Sequence, residues 1–132
     1  MASEPQFFVD RSLGRIVVPK LLREAGLQVI TLAEHYGVPR DQDVADVEWI
    51  EECSRNHWIA LMKDARIRRR PAEKEAVSRH SVRCFCLARA DLTSAEMARR
   101  YISNMGKILA ACTERGPYVY AVHTKTITRL EL

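Results

Sequence analysis

The chain has 132 residues, of which 47% are hydrophobic and 29% charged, a balance that suits one globular domain with a sizeable core and excludes a disordered or fibrous chain. No apolar run approaches the ~18 residues a membrane helix needs, and MASEPQ places no basic segment ahead of an apolar one, so neither a membrane span nor a secretory leader is expected. A net charge of +4 and a pI near 9.0 suit a polyanionic partner, though the distribution of that charge says more than its sum.

Residues 6–10 read as a short buried strand that ends on the carboxylate of Asp10. Leu13, Ile16, Val17, Leu21, Leu22 and Ala25 recur at helical spacing and predict a helix over 13–25, with Gly26 as its stop. Pro19 either kinks this helix or marks its true start after a short first turn. Residues 27–31 form a second strand, and 37–42 a polar loop that brings in Asp41 and Asp43. Val47, Ile50 and Cys53 share one face of a helix over 44–56, and 58–62 is a third strand followed by Lys63 and Asp64. Lys63, Arg66, Arg68, Arg69 and Arg70 then crowd into a run that reads by itself as a solvated loop. Pro71 opens a short helix to about Arg79, and 82–87 is a fourth strand. Thr93 to Glu96 is a capping box before one long helix with Met97, Tyr101, Met105, Ile108 and Leu109 as its apolar stripe. Residues 117–123 form a last strand, with an extension towards Leu132.

Strands alternating with helices predict a single α/β domain over 1–132, with helices on both faces of a mostly parallel sheet of about five strands. Ligands of such sheets bind beyond the carboxyl ends of the strands. Asp10 and Asp64 both follow strands directly, and Asp46 opens the helix that feeds the third strand. If the first and third strands are neighbours, the three carboxylates converge. Converging carboxylates repel, and stay ionised together only when a cation neutralises them. An all-oxygen ligand set favours Mg²⁺ or Mn²⁺, and an ion held this way contacts substrate phosphates and activates water for in-line attack. On its own, Asp46 is better read as an ordinary helix-start residue.

Cys84 and Cys86 alternate within an apolar stretch, one residue tighter than the C-x-x-C of zinc and redox sites. With Cys53 and Cys112 they read as buried, reduced thiols, which together with the missing leader points to the cytoplasm. His35, His57, His80 and His123 are scattered, with no pair at metal-ligand spacing. Trp49 and Trp58 read as core residues, with a partner-surface anchor as the second reading of Trp49. Arg99, Arg100 and Lys107 lie on the polar face of the long helix, a surface for a partner chain, with a homodimer left open.

Residues 7–13, 21–29, 46–50 and 58–64, in that order and spacing, resemble the PIN-like nucleases. The stretch from Lys63 to Pro71, with Glu73 and Ala76, narrows the resemblance to the short PIN-like toxins of VapC-type toxin–antitoxin pairs, and the likeness spans about residues 6–110. It implies a three-layer α/β/α PIN-like fold and a metal-dependent endoribonuclease that hydrolyses RNA with Mg²⁺ or Mn²⁺ and is held inactive by a cognate antitoxin. Asp10, Asp46 and Asp64 would be its metal ligands and catalytic acids. Lys63, Arg66, Arg68, Arg69 and Arg70 would hold the RNA backbone, guanidinium groups pairing bidentately with phosphate, and Arg11 would either join them or pair with a site acid. Two positions depart from the pattern. Met62 stands where a hydroxyl residue often precedes the last acid by two, and none of Glu34, Asp41 and Asp43 stands out as a further acid. The alternatives are a non-catalytic PIN-like module that binds RNA or protein, and a PIN-like nuclease of RNA processing without an antitoxin.

Overall fold

The computed structural model describes residues 4–63 and 66–132. Six strands form one sheet: β1 (Gln6–Val9), β2 (Gln28–Thr31), β3 (Ile59–Met62), β4 (Arg83–Leu87), β5 (Tyr118–Val122) and β6 (Ile127–Leu130). Their order is β2-β1-β3-β4-β5-β6, parallel throughout except for β6, which returns antiparallel to β5. The extension towards Leu132 is thus a hairpin strand, its turn closed by His123 N–H donating to Thr126 O at 2.8 Å, and the sheet has six strands where about five were expected.

Strand residues alternate between two apolar layers, as the period of a strand requires. Phe7, Val9, Ile59, Leu61, Phe85 and Leu87 pack under α1 (Val17–Glu24), α6 (Ser94–Ser103) and α7 (Met105–Ala111). Phe8, Ala60, Met62, Cys84 and Cys86 pack under α3 (Asp46–Asn56) and α5 (Pro71–Arg79). Helices on both faces explain why β3 is buried along its whole length. The four cysteines are free and buried within these layers. Among the described residues, no helix is long and apolar enough to cross a membrane.

Four local readings change. The helix expected over 13–25 is a 3₁₀ turn at Arg11–Leu13 followed by α1, with Pro19 in its first turn, the second of the two options open for that proline. Leu32–Tyr36 is a helix, α2, that went unnoticed because five residues are too few for a periodicity. Its signal is the Thr31/Glu34 capping box, in which each side chain accepts the other's backbone N–H. Part of the expected basic loop, Arg66–Arg69, is a one-turn helix, α4, that buries Ile67. The long helix is broken at Asn104, whose side-chain amide donates to Arg100 O and to His123 O, both at 2.8 Å.

Candidate active site

β1 and β3 are parallel neighbours, and the pairing continues one residue past β1, with Asp10 N–H donating to Leu61 O at 3.1 Å. Val9 faces the α1 layer, so alternation turns Asp10 to the α3 side, where Asp46 opens α3. The two carboxylates line one open cavity of about 390 Å³, together with Ser12, Trp49, Met62, Arg66 and Arg70 among others.

Asp10 is buried, with 8% of its surface exposed. Its Oδ2 accepts from Ser12 Oγ at 2.8 Å, while its Oδ1 has no partner among the described residues. Burial pushes its carboxyl above the usual aspartate range, the Ser12 hydrogen bond pulls it down, and the charge of Asp46 pushes it up again. A buried carboxylate oxygen without a donor, facing a second carboxylate, is an unstable arrangement unless a cation completes it. The residues present therefore fit a hard divalent ion. Among the described residues, no third potential ligand is grouped with these two, and Asp64 lies outside the described residues.

Neighbours orient both acids. Ser12 Oγ also accepts Lys63 N–H at 3.0 Å and so ties the end of β1 to the segment leaving β3. Asp46 Oδ1 accepts from Trp49 Nε1 at 2.9 Å, one helical turn on, and Trp49 is anchored by stacking on Phe8, with 5.4 Å between ring centres. The sequence reading took Trp49 for a core residue or a partner-surface anchor and passed over Ser12. The signals for both were short spacings, Asp10 to Ser12 and Asp46 to Trp49. Tyr101, fully buried, shares its hydroxyl proton between Met62 O at 2.7 Å and Phe85 O at 3.1 Å, clamping β3 to β4 at this end of the sheet.

The arginines divide. Arg66 and Arg70 line the acidic cavity, and Arg70 Nη1 lies 3.4 Å from Asp46 Oδ2. Arg68 and Arg69, with Arg66 again, line a separate depression floored by Leu87, Ala121 and Leu130, where Arg68 Nη1 reaches Glu131 O at 3.4 Å. One turn of helix thus sends parts of the run in different directions. Arg11 donates to Gln42 O at 3.1 Å and to Val44 O, so its guanidinium braces the loop that leads to Asp46.

A family model described as a PIN like domain matches residues 5–89. The chain belongs to the PIN-like domain family. It is also 42% identical over 130 residues to the "Putative ribonuclease VapC45" of Mycobacterium tuberculosis (strain ATCC 25618 / H37Rv), an alignment covering 98% of this chain and 94% of that protein. The VapC-type likeness expected from the sequence is the one this relative carries. The search of solved structures gave no match.

Within this PIN-like domain the matched segment holds Asp10, Asp46, Asp64 and the whole basic run. Of the further acids weighed, Glu34 is committed to the α2 cap and to Arg23, and Asp43 is exposed. Asp41 is buried in a neighbouring cavity. His35 pairs with Glu52 at 2.8 Å, away from the acidic cavity. Arg100, expected on an open polar face, is 8% exposed, with its Nε 3.6 Å from Glu96 Oε1.

Proposed function

We propose that this PIN-like domain is an Mg²⁺- or Mn²⁺-dependent endoribonuclease and the toxin of a toxin–antitoxin pair. The observation that carries the reading is the buried, partnerless Oδ1 of Asp10 in a cavity shared with Asp46 and edged by Arg66 and Arg70. Family membership and the name of the mycobacterial relative support it.

Asp10 and Asp46 hold the ion, with Asp64, two residues after β3 in sequence, as the third ligand. When bound, such an ion offsets the carboxylate repulsion, acidifies a water and polarises a phosphodiester. Ser12 and Trp49 fix the ligand oxygens that their donors do not leave free to turn. Arg70 gives up its long contact with Asp46 for an incoming phosphate, and Arg66 meets the same strand, so that charge building on the phosphate oxygens is met by fixed cations. Arg68 and Arg69, on the outer depression, extend the path for the RNA backbone, with Lys63 at the exit of β3 as a further cation. A cytoplasmic setting suits an RNA substrate, an antitoxin partner and four reduced thiols.

The deciding experiment is cleavage of total RNA by wild type and Asp10→Asn, with Mn²⁺ and with EDTA. Cleavage by the wild type in Mn²⁺ alone is expected, with the variant near background. Equal cleavage in EDTA, or a fully active variant, overturns the metal-nuclease reading. Growth arrest on expression, relieved by the product of an adjacent small reading frame, tests the toxin role.

A further inference from the structure

A second cavity, of about 320 Å³, adjoins the acidic one and shares Arg11 with it. It is lined by Val9, Leu32 and Ala33 on its apolar side and by Asp41 and Arg15 among its polar groups. Asp41 is 7% exposed, and its Oδ1 has no hydrogen-bond partner among the described residues. Arg15 Nη1 stands 3.8 Å from Asp41 Oδ2 on a half-exposed side chain, a contact of little worth that leaves Oδ1 unserved. A buried carboxylate with one oxygen left without a donor, on a residue that lines a ligand-sized cavity, is a candidate recognition group.

We propose that this cavity seats a guanine base of the RNA strand, with the Asp41 carboxylate accepting from its Watson–Crick edge. A carboxylate only accepts hydrogen bonds. Guanine presents two adjacent donors, N1–H and N2–H₂, that match its two oxygens. Adenine and cytosine set one amino donor beside a ring-nitrogen acceptor, which repels the second oxygen, and uracil sets its N3–H between two carbonyls. Val9, Leu32 and Ala33 offer the apolar contact that a base face needs, Arg15 lies at the polar rim, and the shared Arg11 makes this the cavity for a nucleotide next to the one being cut. The ribonuclease reading enters only in naming RNA as the strand that delivers the base.

The test reads binding without cleavage. Wild type, Asp41→Asn and Ala33→Phe are titrated in EDTA with GMP, AMP, CMP and UMP, with thermal melts to check folding. Wild type is expected to favour GMP roughly tenfold or more over the other three, the range of one bidentate base contact. Both variants should lose that preference, Ala33→Phe by filling the cavity while keeping the carboxylate, which preserves the test if Asp41→Asn does not fold. Equal binding of the four nucleotides, or a GMP preference that survives in a folded variant, overturns the proposal. So does binding of arginine methyl ester with no nucleotide bound, which would mark the cavity as a socket for a cationic peptide. A wild type that favours GMP yet cuts no RNA in Mn²⁺ refutes the nuclease reading and leaves the base site standing, and one that cuts RNA without favouring GMP does the reverse.

Discussion

The hydroxyl of Ser12 donates to Asp10 Oδ2 across 2.8 Å while accepting the backbone N–H of Lys63, so one side chain sets the first acid and braces the exit of β3. Ser12→Ala removes a donor from a buried carboxylate and an acceptor from a backbone N–H. A loss of about 1–3 kcal/mol in urea unfolding is expected. Because the Ser12 bond lowers the Asp10 pKa, its loss should also weaken Mn²⁺ binding near neutral pH. Unchanged Mn²⁺ affinity in a destabilised variant would reduce Ser12 to a purely structural residue.

Asp10 carries a folded-state pKa above its unfolded value, burial being the largest cause. Metal-free protein therefore loses stability as pH rises from the ordinary aspartate value, about 3.9, through the raised one, and the penalty persists above it. Asp10→Asn escapes that penalty. In EDTA its Tm should exceed that of the wild type at pH 7, and the gap should narrow at the lowest pH where both remain folded. Added Mn²⁺ at pH 7 should close the gap by stabilising the wild type alone. A gap independent of pH would mean that Asp10 is not strained as a carboxylate.

Arg70 and Arg69, adjacent in sequence, should behave differently. Arg70 faces the acids, so Arg70→Ala should lower turnover of bound RNA, approaching the ~10²-fold cost of removing one charge-stabilising donor. Arg69→Ala, in the outer depression, should lower the salt slope of RNA binding by about 0.7 with turnover little changed. Neither change should move stability much, both side chains being exposed. Single-turnover rates beside salt titrations separate the two, and identical profiles would mean that the run acts as one undivided patch.

Tyr101→Phe keeps the ring and removes the hydroxyl that clamps Met62 O and Phe85 O. A cost of about 1–3 kcal/mol is expected from the buried carbonyls it leaves behind. Since the clamp lies two residues before Asp64, Mn²⁺ affinity should fall as well, measured by titration. Lost stability with unchanged affinity would confine Tyr101 to the core.

Much of this protein is written locally. Alternating strand and helix periods, Pro71, the Thr93 cap and the acids that follow apolar runs depend on neighbours in sequence, so the α/β class, most elements and the pairing of Asp10 with Asp46 could be read from the chain. Thr93 also shows the limit of a local signal: its Oγ1 accepts Glu96 N–H at 3.2 Å, while the Glu96 carboxylate turns to Arg99 and Arg100. What the tertiary structure alone decided came from long-range contact. Placing β3 beside β1 brings Ser12 to Lys63, 51 residues on. The turn of α4, rotated so that Ile67 is buried, leaves Arg70 on the acidic cavity, Arg68 and Arg69 on the outer depression, and Arg66 between the two. Asp41 looked like one polar loop residue among several, and only the packing of its turn against α2 and the end of β1 buried its carboxylate without a donor. Burial of a polar atom depends on what the rest of the chain lays over it, and no window of sequence around Asp41 contains that information.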